Sequence, residues 1–545
     1  MFNRVFNRHP TLVVVVGPAY PCASKTASRR RRRGLWLLSV AVGAFALAVF
    51  LPQHRQAQAE LDDPSALRTP DAAVTVLGAP LTGPLPSGFV GVSLEYTALR
   101  ALAGLDPHAI NPVLAPLIRN LAPGQRPVLR FGGNSADNTW VPVRGISRPP
   151  GIKFTLTPRR LAIMRTLTRA AHARVIVGLD LETGNVTLPV VEARALLASL
   201  GRHSVQTFEI GNEPLRYRIF AWYKTPNGQP RYARSRTYDF AAFNREFGTV
   251  ARLLPPGIGV AGPTMGGIRW MNRLPQFIAG QPKLNTISHH AYPLNRCATI
   301  NDAGSPTLAK LLSTTASLGL ASRVASYAAT ARQFHLPFRL DELNSVACGG
   351  KSGISNSMAS ALWALDTLFA MVRTGVTGVN FHTFHKAGYA LFDFHHTVGG
   401  RWLTSVKPIY YGLLMFARAA PPGSRLLDLS RTGTPYVRAW AARTRGHLTH
   451  VVLINADQSH PHLVAVQVPG AIAPGSLLRL TAPGAAATSG VQLGGRMFGR
   501  RTDGILPAPR QSRLAPGPSG RYVVRLGPAS AALLTLRPTG PAAAT

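Results

Sequence analysis

Acidic residues and cysteines are both scarce in this chain. Its 545 residues include only 22 Asp and Glu against 60 Lys and Arg, which gives a formal net charge of +38. Three cysteines are too few for a disulfide-rich scaffold or a cysteine-rich zinc site. The chain also lacks a tripeptide period and any repeat of about 20–50 residues, which excludes collagen, solenoids and propellers.

The overall composition is that of a globular protein with a large core. Apolar residues make up 46% of the chain and charged residues 15%, which excludes an intrinsically disordered chain. The length suits about three domains, or one barrel of about 250 residues with an accessory domain. A surface this basic favours nucleic acid, anionic lipid or an acidic polymer as partner, whereas a genome-wide bias toward Arg would produce the same charge without such a partner.

Residues 1–59 have the features of an export signal. A cationic run, Arg29–Arg33, precedes the uncharged apolar segment Gly34–Leu51, and Ala57–Ala59 supplies a small-residue cleavage site. We therefore expect an exported protein, located outside the cell, in the periplasm or on the cell surface. An uncleaved segment 34–51 would instead anchor the chain in a membrane.

Export bears on the remaining cysteines. Cys22 lies within the predicted signal, which leaves Cys297 and Cys348 in the exported chain. Two cysteines in an oxidising compartment are candidates for a disulfide, and their expected places after neighbouring strands make a bridge feasible. Two isolated cysteines do not provide the ligand spacing of a metal site.

The region 89–420 alternates short β-rich runs with helical segments. Two gaps between runs carry clear helical stripes, one from Phe240 to Leu254 and one from Met358 to Val372. Eight β–α units in succession predict an α/β fold, a (β/α)8 TIM barrel. The eight predicted strands are Phe89–Leu94, Val128–Phe131, Val175–Leu179, Thr207–Ile210, Gly259–Ala261, Thr286–His289, Phe338–Leu340 and Gly378–Phe381.

The region 421–545 has a different texture. Helical stripes are replaced by short alternating segments, separated by Gly- and Pro-rich turns, such as Leu448–Ile454 and Ala531–Leu536. This pattern predicts a C-terminal antiparallel β-sandwich domain. Residues 60–88 are expected to be a linker that contributes a strand, Ala73–Leu77, to that sandwich.

Two glutamates follow predicted strands that lie across the barrel mouth from each other. Glu213 ends the fourth strand and Glu342 the seventh, and the active sites of such barrels lie at the carboxyl ends of the strands. Both side chains can therefore point into one pocket. Paired carboxylates that flank a glycosidic bond are the minimal machinery of glycoside hydrolysis, in which burial or the partner's charge keeps one of them protonated.

The residues around both glutamates resemble a known family. The segment Phe208–Pro214, FEIGNEP, is similar to the acid/base motif of clan A glycoside hydrolases. The segment Asp341–Ser345, DELNS, with the GGKSG and ASALWALD that follow it, resembles glycoside hydrolase family 79, which includes β-glucuronidases and heparanase-like enzymes. Similar segments also occur at 91–96, 129–135 and 289–293, where the chain reads GVSLEY, LRFGGNS and HHAYP. The resemblance spans about residues 89–418.

This resemblance implies a retaining mechanism with defined residue roles. Glu342 would be the nucleophile, Glu213 the acid/base, and Asn212 the partner of the sugar 2-hydroxyl. Asn134 stands where the family usually has an acidic residue that binds sugar hydroxyls. An amide also bonds a hydroxyl, so Asn134 is kept as a substrate-binding residue, although the departure bears on the identity of the terminal sugar.

The resemblance also implies how a uronic acid would be recognised. Gly388 and Tyr389 match a Gly-Tyr pair that binds the uronate carboxylate in family relatives, and Lys386 lies beside them in the chain. A backbone N–H and a phenol hydroxyl are suitable donors to a carboxylate. The other substrate-binding positions that the resemblance implies are Glu95, His290 and Tyr292.

The sequence therefore predicts an exported retaining β-glucuronidase that removes terminal β-linked glucuronic acid from glycans or glycosides. A heparanase-like endo-β-glucuronidase and a non-catalytic carbohydrate-binding barrel are the alternative hypotheses. No cofactor and no metal are expected, because the histidines match no zinc-hydrolase spacing and GGKSG lacks the first glycine of a phosphate-binding loop. Nucleic acid is not expected as a partner, because the arginines are scattered rather than clustered with aromatic residues.

Overall fold

The structure is a computed structural model that describes residues 69–538. All of these residues except 298–302 belong to one compact unit. The export signal or anchor predicted at 1–59 lies outside the described residues. Within residues 69–538, no helix combines the length and the apolar character that crossing a bilayer requires.

Eight parallel strands close into a barrel. Every neighbouring pair is parallel, the fourth strand pairs with the fifth, and the eighth pairs with the first. Helices cover the outside of the barrel and side chains fill its inside, so the strands read as nearly continuous buried runs. The predicted TIM barrel is confirmed. Its strands are Val90–Glu95, Val128–Gly132, Arg174–Leu179, Val205–Ile210, Gly259–Met265, Leu284–Ala291, Phe338–Leu343 and Gly378–Thr383.

Helices connect the strands and carry both predicted stripes. The first stripe forms Phe240–Leu253, which begins after Asp239, whose side chain accepts a hydrogen bond from the Ala242 N–H at 2.8 Å. The second forms Met358–Arg373, which is buried on all sides because the C-terminal domain packs on its outer face. The other α-helices are Leu99–Ala103, Leu114–Arg119, Pro158–Ala170, Thr187–Leu200, Leu274–Gly280, Leu308–Leu311, Leu320–Gln333 and Pro408–Ala419.

A ten-stranded sheet forms the second domain. One of its strands, Ala72–Pro80, comes from before the barrel and pairs antiparallel with Arg425–Gly433 and parallel with His462–Gln467. Alternate residues of Thr449–Asn455 face two different cores, so this strand is buried on both sides. The remaining strands are Val437–Arg443, Gly475–Thr481, Gln492–Leu493, Ser512–Leu514, Tyr522–Leu526 and Ser530–Leu536.

Four small two-stranded sheets stand in the loops that follow barrel strands, on the side of the barrel mouth. They lie after the second, fourth and eighth strands, and across the loops after the sixth and seventh. These additions build walls around the mouth. Their strand pairs are Thr139–Trp140 with Phe154–Thr155, Tyr223–Lys224 with Pro230–Arg231, Leu294–Asn295 with Val346–Ala347, and Phe392–His396 with Trp402–Val406.

Cys297 and Cys348 form a disulfide, with their Cα atoms 6.1 Å apart and a sequence separation of 51. Closing a loop of this length reduces the entropy of the unfolded chain and stabilises a fold by about 2–4 kcal/mol. We expect the Cys297→Ser/Cys348→Ser double variant to lose about that much free energy of unfolding, measured by urea denaturation. An unchanged urea midpoint would show that the bridge does not constrain the unfolded chain.

Candidate active site

The two glutamates at the barrel mouth face each other. Glu342 lies in the seventh barrel strand, and Glu213 follows the fourth strand by three residues. One carboxylate oxygen of each and one nitrogen of His290 all lie within 4.8 Å of one another. The barrel therefore brings together two acids that are distant in the chain.

Glu213 is held in an uncommon backbone conformation. Its φ angle is +49°, and its N–H donates to the Thr264 carbonyl at 3.0 Å. Two cationic or polar groups contact the carboxylate: Arg216 Nη1 at 2.8 Å from Oε2, and His290 Nδ1 at 3.0 Å from Oε1. A left-handed residue that is not glycine costs about 1–3 kcal/mol, and such strain concentrates at functional sites.

Glu342 accepts hydrogen bonds on both oxygens. Tyr292 OH donates to Oε1 at 2.8 Å, and Arg130 Nη1 donates to Oε2 at 2.9 Å. Burial alone would raise the pKa of Glu342, but the nearby His382, His290 and Arg130 and the Tyr292 hydroxyl hold it well below its usual range. Glu342 is therefore an ionised carboxylate at neutral pH, as a nucleophile must be.

Glu213 and His290 hold one proton between them. Burial would raise the pKa of Glu213, but the hydrogen bond from His290 and the charge of Arg216 lower it to about 2. Burial would lower the pKa of His290, but Glu342, Glu213 and Asp341 raise it to about 9 despite the opposing charge of Arg130. The proton therefore rests on His290 Nδ1, one hydrogen bond away from Glu213.

Arg130 is fully buried at the centre of this network, and the sequence reasoning did not single it out. Its guanidinium donates to both oxygens of Glu209, at 2.8 and 2.5 Å, to Asn212 Oδ1 at 3.2 Å and to Ser93 Oγ at 3.0 Å. The same side chain donates to Glu342. Because it contacts both Glu342 and the strand before Glu213, Arg130 fixes the two halves of the site relative to each other.

Removing Arg130 is expected to destabilise the protein. Glu209 and Glu342 would remain buried without their common cation, which costs about 3–5 kcal/mol when one partner of a buried ion pair is removed. We expect Arg130→Met to lower the free energy of unfolding by that amount, measured by urea denaturation. The exposed Arg165 provides the matched control, because Arg165→Met should change stability by less than about 0.5 kcal/mol. Equal midpoints for the two variants would contradict this role for Arg130.

Asp341 and Asp137 are two further buried acids beside the site that the sequence reasoning did not assign. Burial and the neighbouring Glu209 raise the pKa of Asp341 well above its usual range. Burial raises the pKa of Asp137 to about 6, although its carboxylate accepts from the Asn212 N–H and from Tyr217 OH, both at 2.8 Å. Asp137 thus fixes the turn that leads into Glu213.

Two predicted substrate-binding residues meet at the barrel mouth. One follows the second strand, and the other lies in the turn after the fourth strand. Asn212 Nδ2 donates to Asn134 Oδ1 at 3.0 Å, and Asn134 is exposed. Glu95 accepts from the Asn134 and Ser135 N–H groups at 3.1 and 2.7 Å. Glu95 therefore orders the loop that carries Asn134 and keeps only a small exposed surface.

The other predicted substrate-binding residues lie in or after the sixth and eighth barrel strands. The rings of Tyr292 and Tyr389 lie 6.3 Å apart, and Gly388 is fixed by a 2.7 Å hydrogen bond from its N–H to the Gly349 carbonyl. The Lys386 side chain is exposed. The His290 side chain has no exposed surface, so it supports the two glutamates from behind rather than lining the open mouth.

Known proteins resemble this chain more extensively in fold than in sequence. No known protein-family model matches the chain. A beta-glucuronidase of Neurospora crassa is 29% identical over 131 residues, which cover 22% of this chain and 23% of that protein. This chain therefore matches less than a quarter of that relative's length.

Solved structures resemble nearly the whole described chain. A 4-O-α-L-rhamnosyl-β-D-glucuronidase from Fusarium oxysporum has a TM-score of 0.66 at 19% identity, over 85% of this chain and 100% of that chain. A family 51 arabinofuranosidase from Xanthomonas axonopodis has a TM-score of 0.61 at 14% identity, over 86% and 100%. At these identities the likeness shows the fold alone, which this chain shares with both glycosidases.

Proposed function

We propose that this protein is a retaining β-glycoside hydrolase that removes terminal β-linked glucuronic acid. The observation that carries the proposal is the approach of Glu213 and Glu342, whose nearest oxygens lie within 4.8 Å. Retaining enzymes hold their two carboxyl groups about 5–5.5 Å apart, whereas inverting enzymes need about 6.5–9.5 Å to admit a water molecule between carboxylate and sugar.

The site supports a double displacement. Glu342 attacks the anomeric carbon and forms an ester with the sugar, while Glu213 protonates the departing glycosidic oxygen. Water then attacks the same carbon, Glu213 takes its proton, and Glu342 is released as a carboxylate. Asn212, whose amide faces Asn134, would bond the sugar 2-hydroxyl, a contact that strengthens in the transition state.

The resting position of the proton fits this cycle. Glu342 is one of the charges that keep the proton on His290. As Glu342 attacks and the glycosidic bond breaks, its carboxylate loses that charge and the pKa of His290 falls. In the same step the proton moves along the 3.0 Å hydrogen bond from His290 to Glu213, and Glu213 delivers a proton to the departing oxygen.

A uronic acid is the proposed sugar for two reasons. Tyr389 stands beside Tyr292, where the family resemblance expects a carboxylate-binding Gly-Tyr pair. The Gly388 N–H already donates to the Gly349 carbonyl, so the phenol hydroxyl of Tyr389 is the proposed donor of this pair. In addition, a partly similar curated protein and a solved structure of the same fold are described as glucuronidases. Glucuronic-acid-containing glycans or glycosides are therefore the proposed partners.

Hydrolysis of chromogenic substrates tests the proposal. We expect a chromogenic β-glucuronide to be cleaved with a kcat/KM at least tenfold above that of the matching β-glucoside and β-galactoside. Proton NMR should show the β-anomer of glucuronic acid as the first product. A first product of α configuration would contradict retention, and equal rates on the three sugars would contradict the uronate specificity.

Export is proposed from the sequence of residues 1–59 and from the disulfide. The basic and apolar pattern of residues 1–59 supports it, and the disulfide between Cys297 and Cys348 suits an oxidising compartment. N-terminal sequencing of the protein recovered outside the cytoplasm should begin just after Ala59. A chain recovered with membranes and still carrying residues 34–51 would indicate the anchored form instead.

A further inference from the structure

Two neighbouring loops at the barrel mouth are joined by both a short parallel sheet and a disulfide. We name them the paired loops: residues 292–297 follow the sixth strand and residues 344–351 the seventh. Leu294–Asn295 pairs with Val346–Ala347 as a short parallel sheet, and the disulfide joins Cys297 to Cys348 one step further along. Asn295 Oδ1 also accepts from the Cys297 N–H at 2.8 Å.

The paired loops fix the position of Tyr389. The Gly388 N–H donates to the Gly349 carbonyl at 2.7 Å. Gly350 has a φ angle of +78°, and a Cβ atom there would lie only 2.5 Å from the Tyr389 nitrogen, so glycine is required for this approach. The uronate-binding pair is thus packed directly against the disulfide-linked loop.

Arg296 lies in the first of the paired loops, between Asn295 of the short sheet and Cys297 of the disulfide. Its N–H donates to the Ala347 carbonyl at 3.3 Å, and its Nη2 lies 3.8 Å from the point that a Cβ on Gly349 would occupy. The side chain is exposed, and no carboxylate within residues 69–538 forms an ion pair with it. Burial and the carboxylates of Glu342 and Glu95 raise the pKa of Tyr389, whereas the positive charge of Arg296 opposes this rise.

We propose that Arg296 is the cationic partner of the substrate carboxylate, and that the Cys297–Cys348 disulfide holds it beside Tyr389. This inference rests on the proposed function. A guanidinium presents paired N–H groups that match a carboxylate, and a phenol hydroxyl adds a third donor. A series of side chains leads from Glu342 toward this cation: Tyr292 donates to Glu342, and its ring stands 6.3 Å from that of Tyr389. The charge of Arg296 acts in turn on Tyr389, where it opposes the rise in pKa that burial causes.

Other cations at the mouth are less suited to this role. Arg216 Nη1 is already bound to Glu213 at 2.8 Å, where it lies beside the acid/base. Lys386 is exposed, but its residue is held by a hydrogen bond from its N–H to Asp393 and not by the paired loops. Arg296 alone among the three combines a free guanidinium with a fixed backbone next to Tyr389.

The test compares a negatively charged substrate with an uncharged one. We expect Arg296→Ala to raise KM for a chromogenic β-glucuronide by roughly tenfold to a hundredfold, the worth of a hydrogen-bonded charge, with kcat little changed. Hydrolysis of the uncharged methyl ester of the same glucuronide should be unaffected. Arg296→Lys should recover part of the loss, because it restores the charge without the paired N–H groups.

The disulfide is tested with the same two substrates. The Cys297→Ser/Cys348→Ser variant should raise KM for the glucuronide and not for its methyl ester, since the loop then holds Arg296 less firmly. The exposed Arg165, on a helix of the barrel's outer surface, provides the matched control as Arg165→Ala. Circular dichroism at the assay temperature identifies any variant that fails to fold, in which case Arg296→Gln replaces it.

The possible failures are distinguishable. A wild-type protein that hydrolyses other glycosides but no glucuronide overturns the proposed function and this inference with it. A wild type that prefers the glucuronide while Arg296→Ala keeps its KM overturns the inference alone. Equal losses on the glucuronide and on its ester would assign Arg296 a structural role, and a loss seen with Lys386→Ala instead would assign the carboxylate to Lys386.

Discussion

Glu342→Gln should reduce kcat at least about 10⁴-fold, because replacing the nucleophile of a covalent mechanism removes the step on which all others depend. The amide has nearly the shape of the carboxylate, and Tyr292 and Arg130 remain in place beside it. Stability should therefore change far less than activity. Steady-state hydrolysis of a chromogenic β-glucuronide measures the loss.

A second measurement assigns the covalent bond. A fluorinated glucuronosyl donor with a good leaving group should label the wild-type protein, and peptide mass spectrometry should place the sugar on Glu342. Asp428→Asn is the matched control, because Asp428 lies in the strand Arg425–Gly433 of the ten-stranded sheet and not in the barrel. Label on another residue, or a Glu342→Gln variant with ordinary turnover, would contradict the nucleophile assignment.

The barrel could be predicted from the sequence because its strands are buried on both faces. A run such as Val175–Leu179 has no polar break, and turn residues and helical stripes mark its ends, so each predicted strand overlaps an observed one. The stripe in Met358–Val372 predicted one buried face. The structure buries the whole helix, because Arg438 and Trp440 of the C-terminal domain donate to its Asp366.

The partners of Glu213 and Glu342 could not be predicted in the same way. Arg130 lies in LRFGGNS, and its inward direction is defined only once the barrel closes and sets the inside of each strand. A charged residue within an otherwise buried strand was the available signal, and Glu209 gave the same signal on the fourth strand. Neither residue's position in the sequence predicts that the two side chains form an ion pair.

Part of the large excess of cations stabilises the fold itself, which the composition alone does not show. Several Arg and Lys side chains donate to backbone carbonyls near helix ends instead of to acids. Arg126 Nη2 donates to the Ala173 carbonyl at 3.1 Å, and Lys283 Nζ donates to the carbonyls of Arg252 and Leu254 at 3.0 and 3.1 Å. Cations at helix C-termini satisfy free carbonyls and the helix dipole, so part of the charge serves the fold rather than a partner.

Glu213→Gln should separate substrates by their leaving groups. Kcat/KM for a glucuronide with an alkyl aglycone should fall roughly 10²–10⁴-fold, the usual contribution of general acid catalysis. A dinitrophenyl glucuronide should keep most of its kcat/KM, because its leaving group departs without protonation. Its kcat should still fall, since the second step loses the base that activates water, and added azide should restore the rate by replacing that water.

The pH dependence of the same variant identifies the source of the proton. The pKa of His290 is raised to about 9 by the surrounding carboxylates, so the His290–Glu213 pair holds its proton below that pH and loses it above. Wild-type kcat/KM for the alkyl glucuronide should therefore fall as the pH rises through about 9. Glu213→Gln removes the group that receives this proton, so its residual kcat/KM for the same alkyl glucuronide should stay level over the same range. A wild-type and a variant profile that fall together would assign the titration to another group, and equal losses on both leaving groups would show that Glu213 is not the acid.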